Sequence, residues 1–383
     1  MKKVVIFLAV VGIFVAAILV YQKIFNVGSE PPTTPTMTQD SIIDQNTEDV
    51  PAVTTLVENL DTPWALAFLP ASRQGGPDKT LLVTERNGRL SLITDKGISQ
   101  VATIDKSTEY GEGGLMGITL HPNFGSNNYI YLYYTFFSDN DKTMNRVVRY
   151  KLTGNTLYDE QIIVDNIPGG IYHNGGRIKF GSDGYLYITT GDSTNPSLSQ
   201  DRNSLAGKIL RVTDAGDPAP ANPFRTRIFS YGHRNPQGIT WDSAGNLWST
   251  EHGRSGAQSG LDELNLIESG KNYGWPNFEG DETGSGITLP VLHSGPNVTW
   301  APGGIAYLNN KLYFVGLRGE TLYVYDLATR TLSEFFKGEY GRLRDVIVGP
   351  DNLLYITTSN RDGRGSPNAN DDKILRIDPK LFQ

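Results

Sequence analysis

The 383 residues carry a formal net charge of -7 and contain no cysteine. The acidic balance argues against non-specific nucleic-acid binding, which needs a basic footprint, and the absence of thiols excludes disulfides and thiolate metal sites. With 42 Gly, 19 Tyr and 4 Met, and many short runs of Leu, Val, Ile, Tyr and Thr, the composition suits an all-β protein of many strands and tight turns.

In chain order, Lys2 and Lys3 precede an uncharged, apolar stretch over residues 4–20. It is near the lower length limit for a membrane span, and no small-x-small cleavage site follows it. Residues 1–27 therefore read as an uncleaved membrane anchor, with the lysines cytoplasmic and the rest extracytoplasmic. A cleaved signal segment, leaving a secreted or periplasmic protein, is the alternative. Residues 28–51 are rich in Pro, Thr, Asp and Gln and poor in apolar side chains. Such a segment cannot offset its ordering entropy by burial and reads as a disordered linker.

Over 52–383 a degenerate repeat appears, a polar turn followed by an apolar run. The copies are Lys79-Thr-Leu-Leu-Val-Thr-Glu, Asn128-Tyr-Ile-Tyr-Leu-Tyr-Tyr, Gly184-Tyr-Leu-Tyr-Ile-Thr-Thr, Gly245-Asn-Leu-Trp-Ser-Thr-Glu, Asn310-Lys-Leu-Tyr-Phe-Val-Gly and Asn352-Leu-Leu-Tyr-Ile-Thr-Thr. Six copies at this period predict a six-bladed β-propeller of four-stranded antiparallel blades. Second apolar runs precede them, among them Trp64-Ala-Leu-Ala-Phe, Arg177-Ile-Lys-Phe, Gln237-Gly-Ile-Thr-Trp and Arg344-Asp-Val-Ile-Val. These are expected to line the central channel, with their first residues at one mouth.

The residues able to carry chemistry gather at those strand starts. None of the five histidines has HExxH or paired spacing, so a histidine zinc site has little support. His173 lies in a glycine-rich loop, and Asp192 follows at the end of the next strand. Adjacent strands would bring the carboxylate to the imidazole, an arrangement that makes a general base. Arg234 and Asn235 stand at another strand start, and Arg318, Arg342 and Arg344 at comparable ones. Convergent arginines in an acidic protein imply an anionic ligand, and planar carboxylates suit the guanidinium fork. The stretch Glu251-His-Gly-Arg-Ser-Gly, followed by Asp262-Glu-Leu-Asn, offers hard oxygen ligands suited to Ca²⁺, though not with EF-hand spacing.

Six motifs stand in order along the chain: Leu60-Asp-Thr-Pro-Trp-Ala-Leu-Ala-Phe, Gly111-Glu-Gly-Gly-Leu-Met-Gly, His173-Asn-Gly-Gly-Arg with Thr190-Gly-Asp, Gly232-His-Arg-Asn-Pro-Gln-Gly, Asp262-Glu-Leu-Asn and Asn272-Tyr-Gly-Trp-Pro. Taken together, their order and spacing resemble the glucose/sorbosone dehydrogenase family of soluble quinoprotein aldose dehydrogenases. The resemblance implies pyrroloquinoline quinone (PQQ) and Ca²⁺ at the channel mouth, and oxidation of an aldose at its anomeric carbon. It implies His173 as base with Asp192 beside it, and Arg234 stabilising charge on the reduced quinone. Cofactor contacts are implied at Glu112, Arg234, Asn235, Thr299, Arg318, Arg342 and Arg344. The carbonyls of Gly253 and Arg254 would hold one Ca²⁺, and Glu263 and Tyr273 would serve a further one. Electrons would leave to an acceptor that the sequence does not name.

Three positions depart from the family. Glu112 stands where well-known members have Gln, Tyr172 replaces an acidic residue found in some members, and the loop from Arg254 to Gly260 is longer. A metal-dependent lactonase-type hydrolase and a non-catalytic sugar- or protein-binding propeller remain alternatives at this point, because one fold hosts many functions.

Overall fold

The computed structural model describes residues 51–70 and 80–382. The expected anchor at 1–27, and all but the last residue of the expected linker at 28–51, lie outside the described residues. Among the described residues no helix is long and apolar enough to cross a membrane.

The chain forms six four-stranded antiparallel sheets. The inner strands are Pro63–Phe68, Leu115–Leu120, Ile178–Phe180, Pro236–Trp241, Pro302–Leu308 and Leu343–Val348. They define blades 1 to 6, and each packs on the inner strand of the next, the sixth on the first. The last blade is completed by the strand Val53–Val57, which pairs with the final strand Ile374–Ile377. The all-β six-bladed propeller expected from the repeats is the observed architecture.

The second strand of each blade is the repeated apolar run. Leu81–Glu85, Leu186–Thr190, Leu247–Glu251 and Leu354–Thr358 are buried along their whole length. They are sandwiched between neighbouring blades, which is why they read as continuous runs rather than alternating ones. Outer strands such as Gly97–Thr103 and Thr331–Phe335 are largely exposed and polar. Apolar layers fill the space between blades. Leu66, Leu81 and Tyr355 pack blade 1 on blade 6, and Tyr187, Ile209 and Ile239 pack blade 3 on blade 4.

The register between first and second strands shifts near the channel mouth in five of the six blades, at Pro63/Ala65, Leu115/Ile118, Pro236/Gly238, Pro302/Ile305 and Leu343/Asp345. A bulge re-aims the extra side chain, and here the residues concerned include Trp64, Gln237 and Arg344. Repeat threonines take up backbone groups at these strand starts. Thr84 accepts from Ala65 N at 3.1 Å, Thr189 from Arg177 N at 2.9 Å and Thr357 from Asp345 N at 3.1 Å.

Asp345 laces the inner ring. Its Oδ2 accepts Leu66 N at 3.1 Å and pairs with Arg177 Nη1 at 3.0 Å, and Arg177 Nε donates to Gln237 O at 3.0 Å. Four blades meet through these groups, all buried. Asp345→Ala leaves the Arg177 charge buried without its partner. The expected cost is about 3–5 kcal/mol, measured as a lower midpoint in denaturant unfolding.

Candidate active site

The strand starts converge on a cavity of about 600 Å³. Of the residues singled out in the sequence, Glu112, His173, Arg234, Gly253, Arg254, Thr299, Arg318, Arg342 and Arg344 line it. Asp192, Asn235, Glu263 and Tyr273 stand behind its wall.

His173 precedes the inner strand of blade 3 in left-handed backbone, φ 60°. That conformation is costly for a non-glycine residue and persists only where its surroundings enforce it. Gly191 supplies part of the enforcement, because a Cβ there would come within 1.9 Å of His173 O. The His173 ring meets Asp192, with Nδ1 and Oδ1 2.7 Å apart. Asp192 is fully buried and also accepts Thr194 N at 2.8 Å and Trp275 Nε1 at 2.8 Å. An ionised carboxylate can only accept, so Nδ1 carries the proton and Nε2 of the neutral ring is left with a free lone pair. The pairing expected between adjacent strands is therefore present, and Trp275 is an orienting partner that the sequence reading did not single out.

Six arginines line the cavity, Arg234, Arg254, Arg318, Arg342, Arg344 and Arg364, against two carboxylates, Glu112 and Asp262. They are not equally free. Arg342 grips Asp362 Oδ2 through Nε and Nη2, at 3.0 and 2.8 Å, and gives Nη1 to Leu317 O. Arg344 gives Nη1 to Gln237 Oε1 at 2.6 Å, while its buried Nε has no partner. Burial pulls Arg344 down to about 9, opposed by Asp362, so it is still charged at neutral pH. Arg234 gives Nη2 to Ser255 Oγ at 2.8 Å, lies 5.2 Å over the Trp275 ring and keeps an unpartnered, buried Nε. Asn235 is wholly buried behind the His173 loop. Its Oδ1 accepts Gly175 N at 3.0 Å, and its Nδ2 has no partner.

Asp262 builds the opposite wall. Oδ2 accepts Thr299 Oγ1, Trp300 N and Ala301 N at 2.8, 2.6 and 3.0 Å, and Oδ1 accepts Gly253 N at 2.8 Å. Thr299 thus faces the cavity with its hydroxyl proton given to Asp262. The long loop after Arg254 closes on itself through a bridge between Arg254 and Gly260. Ser255 and Ser259 of that loop hold Arg234 and Arg318.

Behind Gly253 lies a second cavity of about 20 Å³, lined by Glu251, Glu263, Tyr273 and Glu279 among others. Burial and the neighbouring Glu251 push the Glu263 carboxyl up to about 8, and no ion pair balances it. Glu279 pairs with Arg254 and Glu251 with His233, so Glu263 is the carboxylate of this cavity left to meet a hard cation such as Ca²⁺. Among the described residues, no cluster of three or more His, Cys, Asp or Glu side chains could hold a metal, so any ion would also need main-chain or water oxygens. The Tyr273 hydroxyl donates to Leu266 O at 2.6 Å and accepts Glu268 N at 2.9 Å, which leaves its main chain rather than its phenol to serve an ion.

Residues 60–375 match the family described as Glucose / Sorbosone dehydrogenase. The chain belongs to the glucose/sorbosone dehydrogenase family. It is 31% identical over 369 residues to the aldose sugar dehydrogenase YliI of Escherichia coli, covering 86% of this chain and 93% of that protein. It is 29% identical over 278 residues to quinoprotein glucose dehydrogenase B of Acinetobacter calcoaceticus, covering 63% and 56%. The PQQ-bound aldose sugar dehydrogenase of Streptomyces coelicolor superposes with a TM-score of 0.77 at 40% identity, over 85% of this chain and 97% of that one.

His252 and Arg364 line the cavity of this glucose/sorbosone dehydrogenase family member, and the sequence reading gave neither a role. His252 follows the second strand of blade 4 as Asp192 follows that of blade 3, and its buried Nε2 is unpartnered. Burial lowers its pKa to about 4, so it is neutral at physiological pH. Arg364 comes from the loop between the last two strands of blade 6. The signal for His252 was positional, the residue just past a repeat copy, whereas nothing in the polar, glycine-rich context of Arg364 marked it.

The raised Glu263 carboxyl makes stability pH-dependent. Between its ordinary value of 4.5 and about 8, the metal-free folded protein keeps a proton that the unfolded chain has lost, so stability falls as pH rises through that window. Glu263→Gln is expected to flatten this fall. The variant should unfold at higher denaturant than wild type at pH 8 and equally at pH 4, read by urea titration in chelator.

Proposed function

We propose that this protein oxidises the anomeric carbon of aldose sugars to aldonolactones, with PQQ as cofactor and Ca²⁺ assisting. The observation that carries the reading is a histidine base, fixed by a buried carboxylate, opening onto a cavity where six arginines face two carboxylates. Family membership gives this constellation its chemistry.

The residues present fit an anionic, planar cofactor. Arg234 Nε, Asn235 Nδ2, Arg344 Nε and His252 Nε2 are buried polar atoms at or just behind the cavity wall without partners, and such atoms are expensive unless a ligand satisfies them. Arg234 and Arg344 would hold carboxylates, with Arg318 at the exposed rim. When bound, PQQ would take up the hydride leaving the anomeric carbon. Gly253 and Arg254 would hold Ca²⁺ beside it.

The chain's own part is proton transfer and charge placement. His173 Nε2 removes the proton of the anomeric hydroxyl as the C–H bond breaks, and the C–O bond gains its double-bond character. Asp192 stabilises the imidazolium that results, and Trp275 and Thr194 keep Asp192 from turning away. Arg234, fixed by Ser255 and by the ring of Trp275, presents positive charge without reorganising. The apolar residues 4–20 behind Lys2 and Lys3 support placing this chemistry outside the cytoplasm, tethered to a membrane.

Reconstitution with PQQ and Ca²⁺, assayed with a panel of aldoses and an artificial electron acceptor, is expected to give activity that needs both additions. His173→Ala should retain PQQ while turnover falls by about 10²–10⁴-fold. Undiminished turnover in that variant would remove His173 as the base.

A further inference from the structure

Glu112 places a negative charge on a pocket otherwise suited to an anion. The other cavity carboxylate, Asp262, is consumed by four hydrogen-bond donors, so Glu112 is the one whose charge an incoming anion would meet. Its carboxylate is also fixed in place, since Oε2 accepts His173 N at 3.2 Å. The remaining oxygen, Oε1, takes Arg364 Nη1 at 2.5 Å. Glu112 precedes the inner strand of blade 2 and Arg364 belongs to blade 6, so the pair bridges the cavity rim.

Arg364 reaches that position from a built loop. Asp362 anchors the loop by gripping Arg342 and accepting Arg364 N at 3.0 Å, and Arg361 Nε donates to Asp371 O at 2.5 Å. The Arg364 guanidinium lies 5.2 Å over the ring of Tyr172, one of the positions that depart from the family. Although burial would raise the Glu112 carboxyl, the Arg364 charge and bond, with His252 and the His173 amide, hold it down at about 2. The carboxylate is therefore ionised, and it needs a cation beside it.

We propose that Arg364 is a cofactor-site residue that cancels the charge of Glu112, so that the pocket's affinity for an anionic quinone depends on the pair rather than on either member. This rests on the reading that the cavity holds PQQ. The pair does electrostatically what a neutral amide at position 112 would do alone.

The test is a double-mutant cycle on PQQ affinity, measured by calorimetry with the full chain in Ca²⁺ buffer. Melting temperatures without PQQ would first establish that Arg364, half exposed in its loop, can be replaced without loss of fold. Arg364→Gln is expected to weaken PQQ binding by roughly tenfold or more, and Arg364→Lys by less than about threefold. In the Glu112→Gln background the Arg364→Gln change should cost less than about threefold. Equal weakening in both backgrounds, or none in either, overturns the proposal. Wild-type protein that binds no PQQ defeats the functional reading itself, and this inference with it.

Discussion

Burying guanidinium groups at the axis of a closed ring is unfavourable unless each is matched, and much of this molecule is arranged around that constraint. Arg177, Arg234, Arg342 and Arg344 are all nearly inaccessible to solvent. Asp345 meets Arg177, and Asp362 meets Arg342 and, more distantly, Arg344. Gln237 supplies an amide oxygen to one arginine and a carbonyl to another. Of the nitrogens left unmatched, Nε of Arg234 and Nε of Arg344 border the large cavity at this mouth, while Nη2 of Arg177 stays within the inner ring. The pocket's affinity for anions is thus the remainder of a balance set by the fold. Removing one carboxylate from such a set frees a charge rather than merely losing a contact.

The bulges show how a repetitive scaffold yields an irregular site. Each blade brings its first strand to the axis, five of them bulge there, and in three a single extra residue carries a large side chain. Trp64, Gln237 and Arg344 are such residues, and Arg177 and Arg344 both lie over the Trp64 ring, at 4.4 and 5.8 Å. The second-strand threonines that receive the displaced amides keep those turns rigid. Preorganisation of this kind matters at a catalytic centre, where groups must be in place before charge develops.

Much of this was legible in the sequence because propeller periodicity is carried by short, strongly apolar runs. Leu186–Thr190 and Leu354–Thr358 share the sequence Leu-Tyr-Ile-Thr-Thr and occupy equivalent places in two blades. His173 and Asp192 were readable as partners because adjacent strands in one hairpin bring their ends together. Arg364 was not, because its meaning comes from Glu112, which is 252 residues away in the chain. Asn235 and Thr299 both come to the cavity, but the sequence could not tell that one sits behind the wall and that the other gives its proton to Asp262. Such distinctions depend on rotamers and hydrogen-bond partners, which leave no periodic trace. Tyr273 is the same case, its phenol being spent within its own loop.

The completion of blade 6 by Val53–Val57 has a consequence for the order in which the protein is made. Val53 pairs with Ile377, so the first strand of the domain to leave the ribosome waits for the last. Five blades can assemble as they emerge, but until the final residues arrive the ring stays open and the edge of the growing sheet array is unpaired. Long-range pairings of this kind form slowly, and open edges invite association with other chains. Docking of Val53–Val57 on the last strand is therefore the step that closes the ring and removes its last open edge.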